Sequence, residues 1–239
     1  MTLKKLSIII PCYNEETLIT RVLEKVLQTK LNYDLEKQII VVNDGSTDNS
    51  ASAINEFCEK NSSVIPIHQQ TNSGKGAAIR AALQKVNGDI IIIQDADFEY
   101  DPNDYNKLLH PIMDGHADIV YGSRFRGSEA HRVLFFFHTI GNKLLTFLSN
   151  LFTGLNLTDM ETGYKMFRAD ILKQIRLKEN RFGFEPEVTA KTSRIKNIKF
   201  YEVGIAYYGR TYDDGKKIKW TDGFHAIWCI LKYNILSRK

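Results

Sequence analysis

Short, almost wholly apolar runs rich in β-branched residues alternate with stretches of helical spacing through the first half of the chain. Residues 6–10, 38–42, 64–68, 89–94 and 118–121 read as strands. Between them, residues 15–28, 48–59, 76–86 and 102–113 repeat apolar positions at three- and four-residue intervals, the period of an amphipathic helix. Strands without polar alternation have both faces covered. The pattern therefore predicts an α/β fold: a Rossmann-like, mostly parallel sheet with helices on both faces.

The second half breaks this rhythm. Residues 132–155 are rich in Phe and Leu and carry a stripe of Val133, Phe137, Ile140, Leu144, Leu148 and Leu151. Residues 198–207 predict one more strand. Trp220, Phe224, Ile227, Trp228, Leu231 and Ile235 form a second stripe near the end, accompanied by Lys219, Lys232, Arg238 and Lys239. Aromatic and cationic residues on a C-terminal amphipathic helix suit a membrane surface. A helix packed on the core, or on another subunit, carries the same stripe. No Pro/Gly/Ser-rich linker interrupts the 239 residues, so 1–239 predicts a single domain.

In sheets of this kind ligands bind beyond the carboxyl ends of the strands, so the residues at each strand exit are informative. Pro11-Cys12-Tyr13-Asn14-Glu15 stands at the first exit, Asn43-Asp44-Gly45-Ser46 at the second, Asp95-Ala96-Asp97-Phe98-Glu99 at the fourth and Gly122-Ser123-Arg124 at the fifth. Asp95 and Asp97 emerge directly after an isoleucine run. Hard carboxylate oxygens on such a turn suit Mg²⁺ or Mn²⁺, which combine one or two carboxylates with substrate phosphate oxygens. A solvated acidic turn has the same residues, but the neighbouring motifs favour the metal. Asp44 is placed to accept hydrogen bonds from a nucleobase. Asn72-Ser73-Gly74-Lys75-Gly76 opens a helix, where backbone N–H groups and Lys75 can meet nucleotide phosphate. It lacks the G-x-x-x-x-G-K-[ST] loop of ATPases. Arg124, Arg126, Arg210, Lys216 and Lys217 are candidates for holding phosphate, or form a solvated basic face. Asp159 is a candidate base, an acceptor-positioning group or a helix cap.

The formal net charge of +4 is too small to argue for nucleic acid. Cys12, Cys58 and Cys229 are far apart and form no C-x-x-C pair, which predicts free thiols in a reducing compartment. Lys4, Lys5 and residues 6–10 mimic a signal peptide, but the apolar run is short and Pro11 ends it at once. No stretch approaches the ~20 apolar residues of a spanning helix, so the chain is expected not to cross a bilayer.

The motifs beginning at Pro11, Asn43, Asp95 and Gly122, with Gly163-Tyr164-Lys165 after them, stand in an order that resembles family 2 inverting glycosyltransferases. Within that family the chain is similar to polyprenyl-phosphate sugar synthases, the group of the dolichyl-phosphate mannose and glucose synthases. The resemblance runs from about Leu6 to the C-terminal helix. It implies a GT-A fold and inverting transfer of glucose or mannose from a UDP- or GDP-sugar to a polyprenyl phosphate. It implies nucleotide contacts at Pro11, Tyr13, Glu15 and Asp44, with Lys75 and Asp95 beside them. Asp95, Asp97 and Glu99 would hold Mg²⁺ or Mn²⁺; Arg124, Arg210 and Lys216 would surround the acceptor phosphate. Asp97, Arg124 and Asp159 become the candidate catalytic residues. Where mannose synthases place Arg and Ser along the acceptor helix, this chain offers His138 and Asn142.

On this reading residues 1–130 form the nucleotide-sugar and metal half, and 131–239 the acceptor half with membrane-surface helices. The expected partners are the nucleotide sugar, the polyprenyl phosphate, the cytoplasmic face of a membrane and a candidate second copy of the chain. An acceptor phosphate is already an anion, so positioning and cationic groups matter more than a strong base. A soluble or polysaccharide hydroxyl acceptor would instead need Asp159 as general base. A non-catalytic nucleotide-binding protein is the third reading, against which the intact Asp95 and Asp97 pair argues.

Overall fold

The computed structural model describes residues 3–127, 132–133, 136–210 and 220–236. Lys216, Lys217, Lys219, Arg238 and Lys239 lie outside the described residues. Among those described, seven strands make one sheet: β1 (Lys5–Cys12), β2 (Glu36–Asp44), β3 (Val64–Gln69), β4 (Ile90–Ile93), β5 (Ile119–Ser123), β6 (Lys165–Arg168) and β7 (Phe200–Gly204). Their order is β3-β2-β1-β4-β6-β5-β7. β6 runs antiparallel to β4 and β5, and all other pairings are parallel.

The apolar strands are buried on both faces, as their lack of alternation predicts. Ile8, Ile10, Ile39 and Val41 pack on α1 (Ile19–Gln28), α2 (Ser50–Lys60) and α4 (Tyr105–Met113). Ile9, Ile40, Val42, Ile91 and Ile93 face α3 (Lys75–Leu83), α6 (Ala169–Gln174) and α7 (Phe184–Thr192). Parallel register sets Cys12 opposite Asn43, so the chain leaves β1 and β2 side by side.

The five leading strands lie where the pattern puts them, and the helices between them differ at their ends. α1 begins at Ile19 and not at residue 15, because the Glu15 carbonyl closes a turn with the N–H groups of Leu18 and Ile19. β7 is shorter than residues 198–207. β6, α6 and α7 have no counterpart in the periodicity. β6 has four residues, and α7 is buried at nearly every position, which leaves no stripe to read.

Two helices complete the described chain. α5 (Phe136–Thr153) is inside out: it buries Asn142, Thr146 and Ser149, while Phe137 (83% exposed), Ile140, Leu144, Phe147 and Leu151 face away from the protein. The expected stripe exists, and its direction is opposite to that of a core helix. Leu148 alone of that stripe packs partly against the core. α8 (Trp220–Leu231), prolonged by a π turn at Lys232–Leu236, lies against α5 and α7. It buries Ala226, Cys229 and Ile230 and exposes Phe224 and Trp228. No helix among the described residues is long and apolar enough to cross a membrane.

Candidate active site

The exits of β1 and β2 are knitted together. The Asn14 N–H donates to Ser46 Oγ (3.0 Å), the Thr47 N–H to Asn14 Oδ1 (2.8 Å) and the Glu15 N–H to Ser50 Oγ (2.9 Å). Asn14 turns the chain at φ +50°, a left-handed conformation that Asn tolerates better than most residues. These bonds hold Pro11, Tyr13 and Glu15 at the strand ends. Asp44, buried beside them, accepts from the N–H groups of Ser73 (2.9 Å) and Gly74 (2.7 Å). Both of its oxygens thus hold the loop that opens α3, a structural duty that the strand-exit pattern did not disclose. Gly74 meets this geometry with φ +97°, and a Cβ there would strike the Asn180 carbonyl.

That loop delivers Lys75 to two carboxylates, Asp95 Oδ1 at 2.8 Å and Glu185 Oε1 at 3.1 Å. Burial alone would lower the Lys75 ammonium, but Asp95 and Glu185 outweigh it and hold the group charged. On its other side the Asp95 carboxylate lies against Gly163 so closely that no Cβ fits. The glycine of Gly163-Tyr164-Lys165 therefore makes room for the acidic turn.

Arg210, just beyond β7, reaches back across the sheet edge. Its guanidinium donates to Asp97 Oδ2 (2.8 Å) and to both Glu15 oxygens (3.1 and 3.2 Å). Its backbone N–H donates to Glu99 Oε1 (2.7 Å), and the Tyr207 hydroxyl donates to Glu99 Oε2 (2.9 Å). Burial, then the charges of Asp95 and Glu99, push the Asp97 carboxyl up to about 7, while Arg210 pulls it down.

This donor set fits a hard divalent cation. Asp95 and Asp97 each grip a side-chain cation already, and burial together with the charges of Asp95 and Glu99 still keeps the Asp97 carboxyl raised. Glu99 departs from the expectation: its carboxylate is turned onto Tyr207 and the Arg210 backbone. Asp95, Asp97 and Glu99 do not bring three oxygens to one point among the described residues. Asp95 and Asp97 remain the candidates for holding such an ion, while the Glu99 carboxylate is occupied by the Arg210 backbone and the Tyr207 hydroxyl.

Arg124 and Asp159 form the next part of the floor. The Arg124 Nε and Nη2 donate to the two Asp159 oxygens, both at 2.7 Å, and the Arg124 N–H adds a third bond at 3.1 Å. Asp159 is 0% exposed, so its carboxylate has no open approach. The guanidinium carbon of Arg124 lies 5.3 Å from the Tyr207 ring centre, which links this pair to Glu99 and Arg210. Asn142 sits on the buried polar face of α5 and His138 one turn before it. That face packs on the Asp159 segment, where the Met160 N–H donates to Thr146 Oγ1 (3.1 Å). Arg126 lies at the rim, 3.8 Å from Glu202. A cavity of about 360 Å³ beside Ser123 and Arg124 is lined by Phe125, Lys143, Phe147 and Leu157.

Sequence reading missed Glu185, Tyr100 and Tyr207. Tyr100 accepts the Gly163 N–H (2.8 Å) and stacks on Tyr164 with centroids 4.7 Å apart. Glu185 had one signal, the acidic residues flanking Pro186 at a helix start. Beneath Lys75, burial and Glu185 push the Glu161 carboxyl up to about 8, and burial lowers the Lys165 ammonium to about 8.

Residues 7–176 match the family described as Glycosyl transferase family 2. The chain is 32% identical over 211 residues to a UDP-N-acetylglucosamine–dolichyl-phosphate N-acetylglucosaminyltransferase of Methanococcus voltae, covering 80% of this chain and 82% of that protein. It is 31% identical over 215 residues to an undecaprenyl-phosphate 4-deoxy-4-formamido-L-arabinose transferase of Photorhabdus laumondii, covering 90% of this chain and 63% of the relative. The chain thus spans less than two thirds of that relative's length. Glucosyl-3-phosphoglycerate synthase of Mycobacterium tuberculosis, solved with Mn²⁺, UDP-glucose and phosphoglyceric acid, superposes with a TM-score of 0.72 at 18% identity over 96% of this chain and 79% of that one. At that identity the likeness is one of fold, the GT-A type.

Proposed function

Because this chain belongs to glycosyl transferase family 2, we propose that it moves a hexose from a UDP- or GDP-sugar to a polyprenyl phosphate at a membrane surface. The transfer inverts the anomeric centre and depends on Mg²⁺ or Mn²⁺. The observation that carries this reading is the placement of Arg124, ion-paired with Asp159, beside α5. The polar face of α5 packs on the Asp159 segment beside Arg124, and its apolar face is open. The names of two relatives, acting on dolichyl and undecaprenyl phosphate, support the acceptor class.

In this mechanism Asp95 and Asp97 would hold the divalent cation, which would supply positive charge to the departing nucleoside diphosphate. Pro11, Tyr13 and Glu15 bind the nucleoside at the β1 exit, and Asp44 holds the α3 loop that brings Lys75 to Asp95. Arg210 and Arg124 draw the acceptor phosphate into line and offset repulsion between two anionic groups. Asp159 positions Arg124, since both of its oxygens serve that guanidinium. The same geometry disfavours a hydroxyl acceptor, for which Asp159 would have to accept a proton. Lys143 and the cavity it shares with Phe125, Phe147 and Leu157 on one side and Thr146, Asn150 and Thr158 on the other receive the phosphate-proximal isoprene unit, and α5 and α8 rest on the cytoplasmic leaflet. Residues 1–130 bind the donor and lend Arg124 to the acceptor phosphate, and 131–239 form the rest of the acceptor half.

The test incubates the protein with a panel of UDP- and GDP-sugars, Mg²⁺ or Mn²⁺ and a short polyprenyl phosphate, and weighs the lipid products. A glycolipid of inverted configuration, absent with Asp97→Asn, is expected. No lipid product from any donor, or a retained anomeric configuration, overturns the proposal.

A further inference from the structure

One cluster of ligating side chains lies away from the strand exits. Among the described residues, only Glu179, His225 and Cys229 bring three candidate ligand atoms within 4.8 Å of one another. Glu179 lies in the segment between α6 and α7. His225 and Cys229 stand four residues apart on α8 and so share one face. His225 Nε2 is 3.5 Å from Glu179 Oε2, and Cys229 Sγ lies nearly equidistant from the two ring nitrogens, 3.7 Å from Nδ1 and 3.8 Å from Nε2, so a turn of the imidazole presents Nε2 to both partners. A tetrahedral centre with ligand bonds of ~2.0–2.3 Å separates its ligands by about 3.3–3.7 Å. These distances are therefore close to the edges of such a site.

The surroundings support the same geometry. The other Glu179 oxygen, Oε1, accepts from the Tyr233 hydroxyl (2.6 Å) and from Lys232 Nζ (2.8 Å). These bonds fix the carboxylate and leave Oε2 facing the imidazole; ligating carboxylates are commonly braced in this way. Cys229 is buried, and a Cβ on Gly183 would come within 2.7 Å of its sulfur, so a glycine leaves that sulfur its room. The His225 side chain is 45% exposed, which opens the fourth side to water. Lys232 competes for the charge of Glu179, but it bonds only Oε1 and its side chain is 34% exposed.

We propose that Glu179, His225 and Cys229 form a three-ligand site for Zn²⁺ or a similar borderline-soft transition metal, with water as fourth ligand, that pins α8 to the segment entering α7. Thiolate and imidazole select such ions, whereas Asp95 and Asp97 offer only the hard oxygens that suit Mg²⁺ and Mn²⁺. Binding releases the thiol proton to solvent as the metal–sulfur bond forms. The site holds the amphipathic helix α8 in place and takes no part in sugar transfer.

Titration of the reduced, metal-free full chain with Co²⁺ tests this. One equivalent is expected to produce a near-ultraviolet sulfur-to-cobalt charge-transfer band, displaced by one equivalent of Zn²⁺. Cys229→Ser and His225→Ala should abolish the band. Tyr233→Phe should weaken binding roughly tenfold, and Asp97→Asn should leave it unchanged. Because the band arises in the unaltered protein, a variant that misfolds does not decide the outcome. Absence of the band in the unaltered chain, or its persistence in Cys229→Ser, which would assign it to Cys12 or Cys58, overturns the proposal.

Discussion

Asp97 is buried with Asp95 and Glu99 close by, and its carboxyl is pushed up to about 7. The folded metal-free chain therefore keeps a proton between about pH 4 and 7 that the unfolded chain has released, so this group's contribution to stability falls as pH rises through that window. The slope is at most about 1.4 kcal/mol per pH unit. Thermal unfolding of the metal-free protein at pH 5 and pH 7.5 should show the unaltered chain losing stability relative to Asp97→Asn. Mn²⁺ should stabilise it increasingly over the same range, because the ion needs the charged carboxylate. A parallel pair of melting profiles would show that Asp97 is not raised. Asp159→Asn tests the adjoining pair. It leaves a buried guanidinium without its counter-charge, a loss of about 3 kcal/mol in a denaturant titration. On the proposed role, in which Asp159 positions Arg124, kcat should fall without a change in the shape of its pH profile; loss of a basic limb would instead identify a general base. Asp95, Asp97 and Arg124 were legible because each is charged and comes just after an apolar strand. Glu185 and Tyr207 were not, since they reach the same place from an element without periodicity and from a loop beyond β7.

At the scale of elements, periodicity reports that a helix has two faces but not which one turns inward. For α5 the sequence pattern shows the stripe of Phe137, Ile140, Leu144 and Leu151, and only the packing shows that Asn142, Thr146 and Ser149 are the buried side. β6 was hidden for a different reason: four residues, with Lys165 buried among them and bonded to the Met160 and Thr162 carbonyls, carry no alternation. An open face holding Phe137, Leu144, Phe147 and Leu151 is a large apolar patch next to α8, where Phe224 and Trp228 are also exposed. If that patch enters a bilayer interface, replacing two of its members by Asp removes about 3 kcal/mol of apolar transfer or more, roughly a hundredfold in partitioning. Phe147→Asp with Leu151→Asp should therefore lower flotation with anionic vesicles by that factor and leave the melting temperature unchanged. Ser149→Leu, on the inward face, should do the reverse: overpacking destabilises by about 1–3 kcal/mol while vesicle binding persists. Loss of stability from the Asp pair would show that the outer face is covered by protein.

Across the whole molecule, one side chain joins the two halves of the reading. Arg210 lies beyond β7, at the far edge of the sheet from β3, yet its guanidinium lies between Glu15 beyond β1 and Asp97 beyond β4. Such a bridge stabilises the metal-free site by supplying positive charge where a divalent cation would otherwise be needed. On the proposed function it also places a planar guanidinium where the acceptor phosphate would arrive. The two roles oppose each other when Arg210 is removed, so they can be separated. In Arg210→Gln, Glu15 and Asp97 lose their shared cation, and the metal-free protein should melt earlier. The stabilisation by saturating Mn²⁺ should then exceed that of the unaltered chain, because the ion relieves a larger repulsion. Transfer to polyprenyl phosphate should nevertheless fall about a hundredfold in kcat, the scale of losing one preorganised donor to a developing charge, with little change in the KM for the nucleotide sugar. A variant with unaltered Mn²⁺ response and unaltered kcat would reduce Arg210 to a surface ion pair and separate the donor half from the acceptor half.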